Sequence, residues 1–352
     1  MSGYGKSGKS GKSGKSGKSG KSGKSGAAEP TDHAGGELSS LLASALISSR
    51  DGIVGSWDGA ASDMPVLMGS GDATDLSYLT PALRADVIDH ILTTSVTVDA
   101  QDQKAVVKAG GAAVYRVARP SNQNFASELK YLRAYADLRD DRLAEIVEQT
   151  DDILSFFGAI HQLDSASRKW TLELLEAAVR LAIHVEMPIK HGFRCPRPNA
   201  FAPQVQPMIQ TPAHAAFPSG HACESFVVAT ILHRLKHRNG PKSGLADKAL
   251  PFLLASRIAV NRTVAGVHFP ADSAAGAMLG CVLGEHLYAL AHGKSLTGTT
   301  EYLWEAGKDF SIDGIAPSLA ADLPAVTDAA ATILGQFWAR AQSEWPALQA
   351  GA

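Results

Sequence analysis

The chain has 352 residues, of which 45% are hydrophobic and 19% charged, enough for one large core or two smaller ones. This composition excludes a collagen-like or wholly disordered protein, and three widely spaced cysteines exclude a disulfide scaffold. The net charge of −2 is unevenly distributed, because seven of the 33 basic residues lie in residues 1–26, which contain no acid. Residues 27–352 therefore carry a net charge of −9, which argues against a nucleic-acid partner.

The first 26 residues differ from the rest in composition. Residues 5–26 repeat Gly-Lys-Ser without variation, a period too short and too polar to bury apolar surface, so we expect disorder there. Perfect repetition favours an expression tag or a solubilising tail over an electrostatic attachment segment. We divide the chain into this tail, an irregular and helical extension over residues 27–124, and a helical domain over residues 125–352.

The sequence also bears on the compartment. No apolar run approaches the roughly 18 to 20 residues that a membrane helix needs. The start lacks the apolar core of a secretory signal. We therefore expect a soluble protein without an integral membrane segment, either cytoplasmic or, if a native leader was removed, periplasmic or secreted. A homo-oligomer is compatible with this composition.

Hydrophobic spacing predicts an all-α fold with few strands. Residues 27–80 indicate loop with a short helix near 38–47, and residues 95–98 and 114–117 alternate weakly and could form a hairpin. The later segments with apolar residues three and four apart are 127–135, 142–157, 164–187, 219–237, 250–262, 270–290 and 325–342. Asp164 or Ser165 can cap the 164–187 helix, and Pro188 should bend or end it.

Six prolines fall within residues 196–218. They exclude regular helix and predict a long ordered loop or lid between two helices. The residues on either side of this loop are the ones that could carry chemistry, and they fall into three short segments.

The first segment begins a predicted helix with the sequence Pro218-Ser219-Gly220-His221. Ser219 is a good N-cap, and Gly220 lets a ligand approach the backbone closely. The free N–H groups of a first helical turn bind anions, and His221 would lie near such an anion as an acid or base. The alternative is an ordinary helix cap followed by a surface histidine.

The second segment, residues 190–198, contains Lys190 and Arg197, with Arg194 between them. Arginine offers a planar fork of donors and lysine a mobile point charge, which together suit a tetrahedral oxyanion. The alternative is a solvated basic loop, since runs of charge usually face water.

The third segment, residues 262–272, contains Arg262, His268 and Asp272. Asp272 would lie near the start of the helix that follows Pro270, within reach of His268. A carboxylate on one imidazole nitrogen fixes the tautomer and leaves the other nitrogen as nucleophile or ligand. The alternative is a core histidine that simply satisfies an N-terminal aspartate.

Together the three segments suggest one site. Three cations, a helix start and two histidines converge in an acidic chain only if they hold a phosphate-like oxyanion.

These segments resemble the signature of the type-2 phosphatidic acid phosphatase and vanadium-dependent haloperoxidase superfamily. That pattern is Lys, six residues, Arg-Pro; then Pro-Ser-Gly-His; then Ser-Arg, five residues, His, three residues, Asp. Every position is met except the serine before Arg262, where this chain has Asn261. The resemblance implies an all-α helical bundle of the acid phosphatase and haloperoxidase type, with the Pro-rich loop at the active site.

The resemblance also implies a role for each matching residue. Lys190, Arg197 and Arg262 would bind the equatorial oxygens of phosphate or vanadate, and Ser219 and the Gly220 N–H would complete the oxyanion cradle. His268 would attack phosphorus or ligate vanadium apically. Asp272 would orient His268, and His221 would be the acid–base group.

Three functions are compatible with this site. We expect a vanadate-dependent enzyme that oxidises bromide or iodide with hydrogen peroxide, because the chain has no predicted membrane helix and a long helical section precedes its motifs, as in soluble haloperoxidases. In addition, His214 lies where bromoperoxidases have a histidine, and Met187 replaces the tryptophan of chloroperoxidases. The first alternative is a soluble acid phosphatase that forms a phosphohistidine and needs no cofactor. The second is a catalytically silent phosphate-binding module. In each case the partner is a small molecule: peroxide and halide, a phosphate ester, or phosphate.

Overall fold

The computed structural model describes residues 40–346, except residues 56, 62, 66, 68 and 70. The predicted all-α class is confirmed, with one small sheet added. The α-helices of the described residues are α1 (Ser40–Val54), α2 (Pro81–Thr94), α3 (Asn122–Tyr135), α4 (Arg139–Glu148), α5 (Leu154–His161), α6 (Lys169–Phe193), α7 (Pro198–Phe201), α8 (Gly220–His237), α9 (Pro241–Ala246), α10 (Leu250–Val264), α11 (Pro270–Ala291), α12 (Ile312–Ile315) and α13 (Ile333–Ser343). The strands are β1 (Val96–Gln101), β2 (Lys104–Ala109), β3 (Ala112–Ala118) and β4 (Thr300–Tyr302).

Helices α8 and α11 form the centre of the core and pack along one another. They approach closely because glycines recur every fourth residue of α11, at Gly276, Gly280 and Gly284. A Cβ at Gly280 would lie 2.2 Å from the Cys223 carbonyl oxygen, so no larger residue fits without moving a helix. This packing brings the starts of the two helices together.

The other long helices surround this pair. Helices α6 and α10 both pack on α8, and α2 and α13 pack on α6. Helix α6 presents a broad buried face that includes Leu174, Val185 and Ile189, as its apolar spacing predicts. The last residues of α6, the first of α8 and the loop before α11 therefore meet at one end of the bundle.

The sheet has the order β1-β2-β3-β4, with β4 parallel to β3 and the other pairs antiparallel. The predicted hairpin between residues 95–98 and 114–117 is wrong, because β1 and β3 both pair with β2 and not with one another. The Gly110-Gly111 turn, with φ of 56° and 83°, reverses the chain between β2 and β3. Strand β4 adds to the sheet from beyond α11, and the domain boundary at residue 124 stays a prediction.

Several helix bounds differ from those predicted. Helix α6 continues through Pro188, because Pro188 lies on the exposed face, where water can hydrogen-bond the carbonyl that proline leaves unpaired. Its N-cap is Arg168, since the Asp164 carboxylate instead accepts the N–H groups of Ala166 and Ser167 in the preceding turn.

The predicted helix over residues 142–157 is divided between α4 and α5, and the predicted helix over residues 325–342 begins only at Ile333. Within the Pro-rich segment, the structure has the single helical turn of α7 and a 3-10 turn at Pro203–Val205 between stretches of loop. The helix expected near residues 38–47 is α1, although residues 38 and 39 lie outside the described residues. The Gly-Lys-Ser tail lies outside them as well.

One helix meets the length and composition of a membrane span. Helix α11 has 22 residues and a mean hydropathy of 1.3 in its most apolar 18-residue window, so the expectation that no segment approaches this length needs correction. In that window, 89% of the residues are buried inside the protein. Core helices of soluble proteins pass the same test, so this helix alone does not argue for a membrane span.

We predict that Gly280→Ala lowers the free energy of unfolding by about 1–3 kcal/mol, the usual cost of overpacking a core. The added methyl group would meet backbone atoms of α8, which cannot move aside as a side chain can. Urea denaturation followed by circular dichroism measures the change. Gly52→Ala is the matched control, because a Cβ at this helical glycine meets no atom within 4 Å. Equal stability of the two variants would contradict the close packing of α8 and α11.

Candidate active site

The Pro-rich loop is held against the bundle by backbone hydrogen bonds and by one arginine. The N–H of Ala216 donates to the Cys195 carbonyl (3.0 Å), and the N–H of Met208 donates to the Ala265 carbonyl (3.0 Å). The Arg139 guanidinium donates to two carbonyls of the loop and to one at the end of α10. These contacts fix the ordered loop that the prolines predict, and they place Arg197 opposite His268.

The imidazole of His268 is held by the start of α11. Its Nδ1 lies 2.8 Å from Oδ2 of Asp272, which also accepts the N–H of Phe269 (3.0 Å). Burial raises the pKa of Asp272 to about 7, whereas the Phe269 N–H and the charge of Arg197 favour its carboxylate. In that form Asp272 accepts, so Nδ1 carries the proton and Nε2 keeps its lone pair. Burial and the nearby charges of Arg197 and Lys190 hold the pKa of His268 well below its usual value. The structure thus provides the free imidazole nitrogen that the sequence predicts.

The guanidinium of Arg197 lies directly on that nitrogen. Its Nη1 is 2.9 Å from Nε2 of His268 and 2.8 Å from the Val267 carbonyl oxygen. Its other nitrogens donate to the His214 carbonyl oxygen (both 3.2 Å), and burial lowers its pKa to about 10. Arg197 is still a cation near neutral pH, so the lone pair of His268 points at a positive charge.

Two donors meet at His221 on the first turn of α8. Its Nε2 lies 2.8 Å from the Gln149 carbonyl, which only accepts, so this nitrogen carries a proton. Nη1 of Arg262 lies 3.5 Å from the same nitrogen. Both groups are donors, so this approach is not a hydrogen bond, and Nη1 of Arg262 is left to donate to an oxyanion oxygen. Burial and Arg262 hold the pKa of His221 well below its usual value.

Lys190 lies in the last turn of α6 and reaches the turn that precedes α8. Its Nζ contacts the Pro218 carbonyl oxygen and lies 3.4 Å from the carbonyl oxygen of Ala216. Ser219 caps α8, and its N–H donates to the Asp272 carbonyl (2.9 Å), which joins the starts of α8 and α11. The site therefore contains all three predicted cations, the predicted cap and both histidines.

Glu186 explains the glycine of the Pro-Ser-Gly-His sequence. A Cβ at Gly220 would lie 2.7 Å from Oε1 of Glu186, one helical turn before Lys190. Burial raises the pKa of Glu186 to about 7, against the opposing charges of Lys190 and Arg197. Glu224, one turn along α8, is also buried, and burial raises its pKa well above the usual value. Both carboxyls therefore supply less negative charge than exposed acids would.

The charge of the site is uncompensated at short range. Within the described residues, Lys190, Arg197 and Arg262 form no ion pair within 4 Å, although each is at most 7% exposed. Nε of Arg262 has no hydrogen-bond partner there either, and burial lowers its pKa to about 9. Buried cations are normally paired, so this arrangement favours an anionic ligand.

Gln149 is a part of the site that the sequence does not reveal. It follows α4, and its Oε1 accepts from Nη2 of Arg262 (2.9 Å) and from Nδ2 of Asn261 (3.0 Å). Asn261 stands where the superfamily pattern has serine, and it also donates to Glu145 (3.1 Å). No motif marks Gln149, because it lies more than a hundred residues before its partners.

His214 and Met187 line a cleft beside the cations, and neither is a hydrogen-bond partner of the His268 ring. Lys190 and Arg197 line the same cleft, which has a volume of about 550 Å³. Burial lowers the pKa of His214 to about 4, so its imidazole is neutral near neutral pH. Its Nδ1 lies 3.3 Å from Nη2 of Arg197.

Comparison with known proteins gives the family. Residues 171–295, which include all three segments, match the model of the PAP2 superfamily. Decaprenylphosphoryl-5-phosphoribose phosphatase from two strains of Mycobacterium tuberculosis, CDC 1551 / Oshkosh and ATCC 25618 / H37Rv, is 32% identical over 142 residues. The match covers 40% of this chain and 72% of each relative. The chain therefore belongs to the PAP2 superfamily, as its three segments predict.

The same comparison corrects the expected chemistry. Both relatives are phosphatases by name, which contradicts the prediction of a haloperoxidase. Haloperoxidases and phosphatases share this cradle. The choice between them depended on the expected solubility, on the long helical section before the motifs, and on Met187 and His214, which line the adjacent cleft. The assignment of these two residues to halide specificity and of vanadate as a cofactor applied only to a haloperoxidase, and both stay predictions without a test.

We predict that Arg197→Ala and Arg262→Ala each weaken orthovanadate binding by about 1.5–3 kcal/mol, or roughly 10- to 150-fold, the range of charge-assisted hydrogen bonds. Both guanidiniums are buried, and neither pairs with a carboxylate in the part of the chain that the structure describes, so each should bind the anion directly. Isothermal titration calorimetry measures the affinity. Arg116→Ala removes an exposed cation of β3 and is the control. Unchanged affinity in both site variants would contradict the cradle.

Proposed function

We propose that the protein hydrolyses phosphate monoesters through a phosphohistidine at Nε2 of His268. The observation that carries this proposal is the Arg197 guanidinium, 2.9 Å from that nitrogen. When substrate binds, the Arg197 guanidinium can donate to a phosphoryl oxygen instead of contacting Nε2. The Nε2 nucleophile then faces phosphorus. The phosphatase names of the relatives support the same reading.

In the first step, the Nε2 lone pair attacks phosphorus and the ester P–O bond breaks. Asp272 stabilises the positive charge that develops on the His268 ring, because its carboxylate holds the Nδ1 proton. Lys190, Arg197 and Arg262, with the backbone N–H groups at the start of α8, stabilise the negative charge on the phosphoryl oxygens. The trigonal-bipyramidal transition state resembles vanadate, so we expect vanadate to inhibit.

His221 is proposed to protonate the leaving alkoxide. In the free protein its pKa is lowered, mainly by burial and then by Arg262, so the ring is neutral near pH 7. A bound phosphate dianion would compensate Arg262 and raise the pKa of His221, which favours the protonated acid only when substrate is present.

In the second step, His221 takes a proton from a water molecule as that water attacks phosphorus. The P–N bond then breaks, the electron pair returns to Nε2 of His268, and inorganic phosphate leaves. Both histidines end in their initial protonation states, so the cycle balances without a cofactor.

We predict that His268→Ala lowers kcat/KM for p-nitrophenyl phosphate at least about 1000-fold. In the unsubstituted protein, an alkaline quench during turnover should preserve a phosphate group on the peptide that contains His268, detected by mass spectrometry. His90→Ala, an exposed histidine of α2, is the control. Full activity of His268→Ala would rule out the proposed nucleophile, and phosphate binding without turnover would support the silent module instead.

We predict that His221→Gln slows an alkyl phosphate by about 100- to 10,000-fold, the usual contribution of a general acid. The same variant should lower kcat/KM for p-nitrophenyl phosphate less than about tenfold, because kcat/KM reports formation of the phosphohistidine and p-nitrophenolate leaves without a proton in that step. Steady-state kinetics on both substrates gives the ratio. Equal losses of kcat/KM on the two substrates would contradict the role of His221 as the general acid of the first step.

A further inference from the structure

The cleft beside the cations extends the proposed site. Lys190 and Arg197, at most 7% exposed, form its inner part, and the exposed residues His191 and Arg194 lie at its mouth. Its volume of about 550 Å³ lies in the range of small-molecule pockets, whereas a phosphoryl group needs only a small part of it. The cleft is therefore large enough for the organic part of a substrate.

The cleft has one sign of charge. Its basic lining residues are two arginines, one lysine and two histidines, and no carboxylate lines it within the part of the chain that the structure describes. Residues 27–352 nevertheless have an excess of nine acids. A concave surface with a single sign of charge concentrates ligands of the opposite sign.

Arg194 is fixed relative to the phosphate cradle. It ends α6 with a φ of 51°, its N–H donates to the Lys190 carbonyl (2.9 Å), and its Nε lies 3.3 Å from the His191 carbonyl oxygen. Among the described residues, its two terminal nitrogens have no partner. One helical turn, a rise of roughly 6 Å, separates Lys190 from Arg194. A group bound by Arg194 would therefore lie a short linker away from the reacting phosphate.

The rest of the lining suits a carbon chain with a polar group. Met187, Pro212 and Ala213 give apolar contacts. Nε2 of His214 is buried without a partner among the described residues, so a polar group of a ligand or a water molecule would satisfy it.

We propose that this cleft binds the organic part of the phosphate ester and that Arg194 binds a second anionic group on it. The substrate is then a phosphate monoester that carries a further phosphate or a carboxylate a few bonds from the scissile ester. This inference rests on the proposed phosphatase activity and adds the class of substrate.

The test compares kcat/KM for propyl phosphate, 1,3-propanediol bisphosphate and 4-phosphonooxybutanoate. We expect the unsubstituted protein to prefer the bisphosphate over propyl phosphate by about tenfold, the effect of one charge-assisted hydrogen bond. The carboxylate substrate shows whether the second group must be a phosphate. The preference should shrink at high salt, because Arg194 is exposed to solvent.

Arg194→Gln should bring the ratio of bisphosphate to propyl phosphate close to one, through KM rather than kcat, while Arg116→Gln keeps the preference. Equal kcat/KM on all three substrates, or a preference that survives Arg194→Gln, would overturn the role of Arg194 and leave the proposed function intact. Failure to hydrolyse any of the three would overturn the proposed function and this inference with it.

Discussion

Three buried cations that pair with no carboxylate among the described residues are the feature on which the rest of this structure depends. Lys190, Arg197 and Arg262 come from α6, the Pro-rich loop and α10, and each is nearly excluded from water. Buried charge is costly unless an opposite charge accompanies it. Glu186 and Glu224 supply little, since burial raises the pKa of both. The proposed anionic substrate would complete this arrangement, which accounts for buried cations in an acidic protein.

The bundle brings these residues together by helix packing. The glycines of α11 let it approach α8 so closely that the N–H of Ser219 donates to the carbonyl of Asp272. That contact places the cap of one helix beside the His268–Asp272 pair at the start of the other. A site made of helix termini gains two advantages: N–H groups are free to bind oxygen, and rigid elements position the side chains.

Much of the fold and site could be predicted from the sequence, and the exceptions have physical reasons. The helices around Ser219 and Pro270 have strong start signals and long apolar runs, so their bounds are nearly as predicted. The sequence does not predict β2, because this strand is short and its apolar residues alternate only in part. It wrongly predicts that Pro188 bends or ends α6, because it does not show which face of the helix is exposed to solvent. Gln149 was missed because only tertiary contact joins it to Arg262. The superfamily motifs identify the oxyanion cradle, but haloperoxidases and phosphatases share them. The choice between the two chemistries therefore used other features, including Met187 and His214, and it was wrong.

The most direct measurement of the central claim is a crystal structure of the protein with orthovanadate. The account predicts one vanadate bonded apically to Nε2 of His268, with its equatorial oxygens bound by Lys190, Arg197 and Arg262. Vanadate bound at the cleft mouth or elsewhere, with Arg197 still on His268, would contradict it.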